Sequence, residues 1–319
     1  MTTLARSTGQ HRVGGRIIAA FAAVYVIWGS TYLFIRIAED TMPPLLMAGV
    51  RFLVAGAVLL AVTGRLHGAA QDPIGPRQWR ACAITGGLLL LGGNGGVSYG
   101  ELFVPSGVVA LLVATVPLFI ALFGALFLGQ RLRRIAMAGI AIGLAGTAVL
   151  LRPGAGGTGD PGHMLLVLAA PLSWAIGSLY ATRGPLPKRA LMATGMEMLC
   201  GGALLVIVGL LIGEASAVHL DRISLASGLS LLYLVVFGSL VAFSAYVWLL
   251  GKVPTTAVAT YAYVNPLVAV VLGWAVLGER VTGQTLLAAA LIVVAVALIL
   301  SRPPAPATSA PDVPVADAV

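Results

Sequence analysis

The sequence predicts an all-α membrane protein whose ten transmembrane helices form two inverted five-helix repeats. Three observations lead to this prediction. The composition is strongly apolar, the apolar residues fall into ten runs of helix length, and the second half of the chain repeats patterns of the first. Together they indicate a chain that crosses a lipid bilayer many times.

The composition excludes an ordinary soluble domain. Of the 319 residues, 59% are hydrophobic and 9% are charged, and the mean hydropathy is +1.00. A soluble protein of this length needs many more charged residues on its surface, so the surplus apolar residues must face lipid. The net charge of +8 does not indicate nucleic acid as a partner, because the basic residues lie between apolar runs.

Ten runs have the length of roughly 20 residues that a membrane-spanning helix needs. The first ends in Arg36, Glu39 and Asp40 and has no small-residue cleavage site, so we interpret it as a retained helix. Cys82 and Cys200 lie inside apolar runs and are expected to be free thiols. The ten runs cover residues 17–38, 45–63, 81–100, 105–128, 134–151, 162–182, 191–213, 225–250, 255–278 and 283–301.

The lysines and arginines predict that both termini are cytoplasmic. In that orientation 14 basic residues lie on the cytoplasmic side and four on the opposite side, and Arg51 lies inside a run. This is a strong positive-inside bias. Residues 1–16 then form a cytoplasmic tail and residues 302–319, rich in proline and alanine, a disordered tail. We expect a multi-pass protein of the inner (plasma) membrane.

Two segments, 17–151 and 162–301, are predicted to be repeats of one another. A shift of 149 residues lays 105–131 on 254–280 and matches two prolines and two glycines at fixed spacing. Shifts of 146 and 148 lay GVRFLVAGA on GMEMLCGGA and GSTY on GSLY. The identities at the first shift are Pro105, Val109, Ala110, Pro117, Leu118, Gly124, Leu128, Gly129 and Arg131 with their counterparts.

Five helices per repeat is an odd number, so the second repeat must enter the membrane upside down. The loop QRLRR after the fourth run is accordingly rich in arginine, and its counterpart ERVTG keeps one arginine. Inverted repeats are typical of transporters that alternate access around a site near the membrane midplane.

The sequence resembles the EamA-domain exporters of the drug/metabolite transporter superfamily. The first half carries YVIWGSTYLFIRI, PPLLMAGVRF and GGNGGVSYGELFVPSGVVALLVATVPLF, and the second half carries SWAIGSLY, EML and TYAYVNPLVAVVLG. The resemblance covers residues 17 to 301. It implies a ten-helix carrier that exports small metabolites or drugs, such as amino acids, purines or amphipathic compounds. Protons or the substrate's own gradient would drive it.

Arg51 and Glu197 lie well inside apolar runs, and the shift of 146 makes them equivalent in the two repeats. A charge at this depth costs on the order of 3 kcal/mol or more, so each side chain is expected to face the protein interior. A mutual ion pair is geometrically possible. The interpretations are a structural or gating role, contact with substrate or proton, or no function, with the side chain paired to backbone carbonyl groups or snorkelling to the membrane surface.

Five polar or kinked positions are candidates for a central cavity. Asn94 lies among four glycines, which indicates either close GxxxG packing or a hinge that points the amide into a cavity. Pro117 and Pro266 each free a carbonyl group and bend a helix, beside a cavity or as packing kinks. Thr115 and Asn265 are the nearest polar side chains.

Aromatic residues supply the remaining candidates for substrate contact. Tyr32 and Trp248 lie near helix ends and are interpreted as anchors at the membrane surface. Five aromatic residues lie nearer the middle of a run, where they could line an aromatic pocket instead of anchoring the helix. They are Trp28, Tyr99, Trp174, Tyr261 and Tyr263.

Two glutamates end apolar runs on the predicted external side. Glu101 could guard an outward mouth or carry a proton. Glu279 is expected to help cap the tenth helix, which begins after Thr282.

Several chemistries are not expected from the sequence. It has no P-loop motif for ATP, its four histidines lie in loops, and no cluster of metal ligands or paired carboxylates falls in the runs. No cofactor is therefore expected. A passive channel is the main alternative function, and a membrane-embedded enzyme is a weaker one.

Overall fold

The computed structural model describes residues 4–66, 74–129, 132–152, 160–250, 252–253, 258 and 260–301. Every regular element in these residues is a helix. Eight helices are long and apolar enough to cross a membrane, and Arg134–Leu150 and Tyr261–Leu277 are shorter apolar helices. Each of these two has 17 residues, or about 25 Å, against an apolar bilayer core of about 30 Å.

Each predicted apolar run coincides with one helix in the described part of the chain. Residues 255–257 and 259 of the ninth run, Arg131 and the tail 302–319 lie outside the described residues. The helices are α1 (Leu4–Glu39), α2 (Pro44–Leu66), α3 (Pro76–Glu101), α4 (Ser106–Leu128), α5 (Arg134–Leu150), α6 (Pro161–Ala181), α7 (Ala190–Leu211), α8 (Leu225–Leu249), α9 (Tyr261–Leu277) and α10 (Gly283–Leu300).

Local sequence explains where several helices begin and end. The Thr282 hydroxyl accepts a hydrogen bond from the N–H of Thr285 and caps α10. Gly129 and Gly278 end α4 and α9 with φ of 64° and 68°, a left-handed conformation that glycine adopts without steric cost. These two glycines are separated by the same 149 residues as the sequence repeat.

Glu279 corrects one prediction, because it caps α4 and not α10. Its two carboxylate oxygens accept hydrogen bonds from the N–H groups of Ser106 at 2.7 Å and Gly107 at 3.1 Å. A carboxylate is favourable there because the first N–H groups of a helix have no partner within the helix. The contact places the end of α9 beside the start of α4.

Glu214 makes the same kind of contact at the start of α2. It lies just after α7, and its carboxylate accepts hydrogen bonds from the N–H groups of Leu45 at 3.1 Å and Leu46 at 2.8 Å. Helix α7 therefore ends where α2 begins, so the two helices run antiparallel. Gln284 at the start of α10 likewise donates to the carbonyl group of Val149 at the end of α5, at 2.6 Å.

The contacts between the two halves recur when the halves are exchanged. Helix α2 packs on α7, α4 on α9 and α5 on α10, and each of these pairs is antiparallel. Helix α1 packs on α8 and α9, while α6, at the corresponding place in the second half, packs on α3 and α4. This pattern is expected when corresponding helices exchange places across a two-fold axis.

Helices α3 and α8 contain π-helical segments at corresponding places, Gly87–Gly95 and Leu234–Val241. A π-helical turn widens the helix and is frequent at functional sites. In α3, an added Cβ at Gly92 would lie 2.8 Å from Cβ of Ser173, and one at Gly96 would lie 2.9 Å from Cβ of Ala170. Both interpretations of the Asn94 region therefore have a structural basis, since it packs closely on α6 and departs from α-helical geometry.

The close packing of α2 on α7 predicts a stability defect. A Cβ at Gly56 would lie 2.8 Å from the carbonyl oxygen of Gly195 and 2.9 Å from the nitrogen of Leu199. Gly56→Ala is therefore expected to destabilise the protein by about 1–3 kcal/mol, because backbone must move to admit the methyl group. Gly64→Ala is the control, since nothing lies within 4 Å of its added Cβ. Equal thermal melting of the two purified variants would contradict this packing.

Candidate functional site

A cavity of about 140 Å³ lies between the two halves, where α1, α2, α3 and α4 face α6, α8 and α9. Both π-helical segments reach it, through Gly93 and Asn94 on one side and Gly238 and Ser239 on the other. The predicted candidates on its wall are Trp28, Arg51, Asn94, Pro117, Trp174, Tyr261, Asn265 and Pro266.

Aromatic rings form much of this wall. The ring of Trp28 lies 5.5 Å from Phe243, 5.3 Å from Tyr246 and 5.2 Å from Tyr261, measured between ring centroids. These separations are in the range of favourable edge-on and tilted contacts. The indole N–H of Trp28 donates to the carbonyl oxygen of Gly238 at 3.1 Å, which links α1 to the π-helical segment of α8.

Arg51 lies on the same wall and is 5% exposed. Its Nε donates to the hydroxyl of Ser239 at 2.9 Å, and its guanidinium lies 4.7 Å from the ring centre of Phe52. Arg51 and Glu197 do not form an ion pair, since the one salt bridge found among the described residues joins His163 to Asp160. The sequence relation between the two charges therefore does not bring them into contact.

Glu197 occupies a separate position. It lines a small cavity of about 10 Å³ that also touches Leu90, Trp174 and Phe243, three residues of the large cavity. Glu197 thus lies close to the central cavity but is not on its wall.

The two prolines bring freed backbone to the cavity. Pro117 removes the hydrogen bond to the carbonyl group of Val113, and Pro266 removes the one to Ala262; all four residues line the cavity. Helix α4 is also interrupted by a turn at residues 114–115. The amide nitrogen of Asn265, in the orientation that its surroundings favour, donates to the carbonyl oxygens of Tyr25 and Tyr261, each at 3.2 Å.

Three predicted contact residues lie off the cavity wall. Tyr99 is 37% exposed and packs against Phe103. Thr115 is buried, and its hydroxyl donates to the carbonyl oxygen of Leu112 at 2.5 Å. Tyr263 is partly buried against the largest hydrophobic cluster. Each side chain is therefore accounted for by packing or by its own backbone.

Sequence reasoning missed several residues of the wall. Tyr32, interpreted as a surface anchor, lies on the cavity with Thr31, as do Ser239 and Phe243 of α8. Helical spacing could have identified Thr31 and Tyr32. Four residues with the spacing i, i+3, i+4, i+7 lie on one helix face, and here they are Trp28, Thr31, Tyr32 and Ile35.

A second group of polar residues, the Glu101 cluster, lies where α1 and α3 end and α4 begins; it comprises Arg36, Glu39, Glu101 and Ser106. Glu39 is 9% exposed and Glu101 is 1% exposed, and none of their carboxylate oxygens has a hydrogen-bond partner among the described residues. The buried hydroxyl of Ser106 also lacks one.

Other charged groups surround the Glu101 cluster. The Arg36 guanidinium donates to the main-chain carbonyl oxygen of Glu101 at 2.9 Å. Asp40 and Glu214 lie near Glu39, and Glu279 lies near Glu101. Burying two carboxyl groups is costly; Arg36 near both of them and Ser98 near Glu39 offset part of that cost. In the described part of the chain no group of three or more potential metal ligands is found.

Comparison with known proteins gives two matches to one family model. The EamA-like transporter family matches residues 15–152 and again residues 162–301. The "Uncharacterized inner membrane transporter YedA" of Escherichia coli (strain K12) is 44% identical over 285 residues, covering 89% of this chain and 90% of that protein.

Two further comparisons extend this likeness. The "Probable amino-acid metabolite efflux pump" of the same strain is 28% identical over 290 residues, covering 84% of this chain and 89% of that protein. A solved crystal structure with 26% identity superposes with a TM-score of 0.58, covering 89% of this chain and 96% of the other. The similarity thus extends over nearly the whole chain.

Proposed function

Because the chain belongs to the EamA-like transporter family, we propose that it is a secondary transporter that exports small metabolites or drugs across the inner membrane by alternating access. Amino acids, purines and amphipathic compounds are the substrate classes considered. The observation that carries the proposal is a cavity built from both halves of the chain, each of which matches the same family model. A carrier binds its substrate at such an interface between repeats.

In this proposal the ten helices are two inverted repeats, residues 17–151 and 162–301, and both tails are cytoplasmic. Three lines of support are the recurring contacts between the halves, the antiparallel packing of corresponding helices, and the two π-helical segments at corresponding places. The bias of basic residues supports the orientation.

The substrate would bind among the cavity residues named above, with Arg51 and the two asparagine amides as its polar contacts. Pro117 and Pro266 would let α4 and α9 bend as access alternates, since the backbone they free faces the cavity. Glu101 would act in the gate at one end, because its carboxyl group is buried while that end is closed. Protons remain candidate coupling ions in this scheme.

Two successive measurements test the proposal. Cells that overproduce the protein are first challenged with toxic amino-acid analogues, purine analogues and amphipathic drugs, and protection against one class is expected. A labelled member of that class is then used in counterflow with proteoliposomes. A carrier accumulates the label transiently against an excess of unlabelled substrate inside, because a gated site exchanges the two. Simple equilibration without an overshoot would indicate a channel, and no flux above empty liposomes would overturn the transport function.

A further inference from the structure

We propose that the central cavity selects compounds that combine a carboxylate with an apolar or aromatic body, and that Arg51 binds the carboxylate. This inference rests on the proposed transport function, to which it adds the chemical class of the substrate. Among the described residues that line the cavity, Arg51 is the single one with an ionic side chain, and the others are apolar, aromatic, hydroxyl or amide groups.

The guanidinium of Arg51 has unused hydrogen-bonding capacity. Its Nε is bound to Ser239 at 2.9 Å, and in the described part of the chain its two Nη groups donate no hydrogen bond and meet no carboxylate within salt-bridge distance. A guanidinium has five N–H donors and remains charged in proteins. Four donors are therefore available on a cation that is 95% buried, given its exposure of 5%.

A buried cation without a counter-charge is costly, and a bound anion relieves that cost. A carboxylate matches the planar fork of a guanidinium with two parallel hydrogen bonds. The hydrogen bond to Ser239 holds the fork in place from α8, and the centre of the Phe52 ring lies 4.7 Å from the guanidinium carbon. The site is therefore already oriented before an anion arrives.

The rest of the wall determines the body of the ligand. Trp28, Tyr32, Trp174, Phe243 and Tyr261 surround the cavity and favour a flat apolar group over a sugar or a second charge. A phosphate carries more charge than one guanidinium neutralises, and no second cationic side chain is found among the described residues that line the cavity. A simple amine finds no carboxylate on the described wall. A monoanionic aromatic or aliphatic acid fits these constraints best.

The test measures binding to the purified full-length protein in detergent, so it does not depend on transport. The probes are 3-phenylpropionate, its neutral amide, 3-phenylpropylamine and phenyl phosphate, each followed by tryptophan fluorescence and by the ligand-dependent rise in melting temperature. The carboxylate is expected to bind about 10- to 100-fold more tightly than the amide, because it alone forms charge-assisted hydrogen bonds with Arg51. The amine and the phosphate are expected to bind no better than the amide.

The variants are Arg51→Gln, which should remove the preference for the carboxylate, and Arg51→Lys, which should keep part of it. Arg152→Gln is the matched control, since Arg152 is exposed outside the helices, and it should leave every affinity unchanged. Equal binding of carboxylate and amide, a preference for the amine or the phosphate, or no binding of the carboxylate would overturn the inference. These outcomes need only the unmodified protein, so a variant that fails to fold does not weaken the test.

The two proposals fail in distinguishable ways. If 3-phenylpropionate does not bind but counterflow of another compound succeeds, the carboxylate assignment is wrong and the transport function stands. If the carboxylate binds in the expected order but no compound shows flux, the binding site stands and the transport function is wrong.

Discussion

Replacing Arg51 by glutamine is expected to abolish export while the protein still inserts into the membrane. Insertion depends on the apolar runs, which the substitution does not change. Export depends on the cavity. In the Arg51→Gln variant the cavity loses the positive charge and the hydrogen bond from Nε to the Ser239 hydroxyl. Loss of a buried charged partner costs about 3 kcal/mol or more, so a fall in transport rate of roughly 100-fold is expected.

Glu197→Gln is expected to have a similar effect from the other repeat. Glu197 lies in the small cavity behind Trp174 and Phe243, which also form the wall of the central cavity. Since Glu197 does not pair with Arg51, we expect its effect to reach the central cavity through these two rings. Both variants are compared with Arg152→Gln in counterflow at matched protein levels in the membrane. Unchanged transport by both variants would refute a functional role for the intramembrane charges.

The sequence predicts the long apolar helices because a helix in lipid must be mostly apolar over roughly 20 residues. That requirement is local, so ten runs of suitable length are visible without any knowledge of packing. Eight helices in the described residues are long and apolar enough to cross a membrane. The family resemblance is confirmed by the match over 15–152 and 162–301. The charge of Arg51 predicts a position that faces the protein interior, and its side chain is 5% exposed.

Contacts between residues far apart in the sequence cannot be predicted from local sequence. Glu279 binds the start of α4 across 173 residues, and Trp28 binds Gly238 across 210. Nothing local distinguishes a carboxylate that caps the next helix from one that caps a distant helix. The two π-helical segments differ in this respect. The glycines around Asn94 mark the one in α3 in the sequence, whereas the one in α8 contains a single glycine and has no such signal.

For Tyr32, the expected depth in the membrane led to the wrong interpretation. Its position near the end of an apolar run is typical of an interfacial anchor, yet its side chain points to the cavity. The face of the helix, and not the distance from its end, determines the outcome. Applying the helical spacing from Trp28 would have placed Tyr32 beside it.

Replacing both Glu39 and Glu101 by glutamine is expected to stabilise the protein and slow its transport at the same time. In the closed arrangement both carboxyl groups are buried without hydrogen-bond partners, which costs about 1–3 kcal/mol for each group. When this end opens, water hydrates the carboxyl groups and the cost is relieved. Glutamine gains less from that hydration, so the double substitution shifts the equilibrium toward the closed end.

A shift of about 1.4 kcal/mol changes the population of the open state tenfold. The double variant should therefore show a melting temperature higher by about 2 °C or more and an initial counterflow rate lower by about tenfold. Asp221→Asn is the matched control, because Asp221 is exposed in the segment between α7 and α8 and its amide should change neither quantity. A double variant that melts earlier, or that transports at the rate of the unmodified protein, would show that the Glu101 cluster supports the fold without gating. The opposite movement of stability and rate is what identifies a gate, since a purely structural contact would lower both.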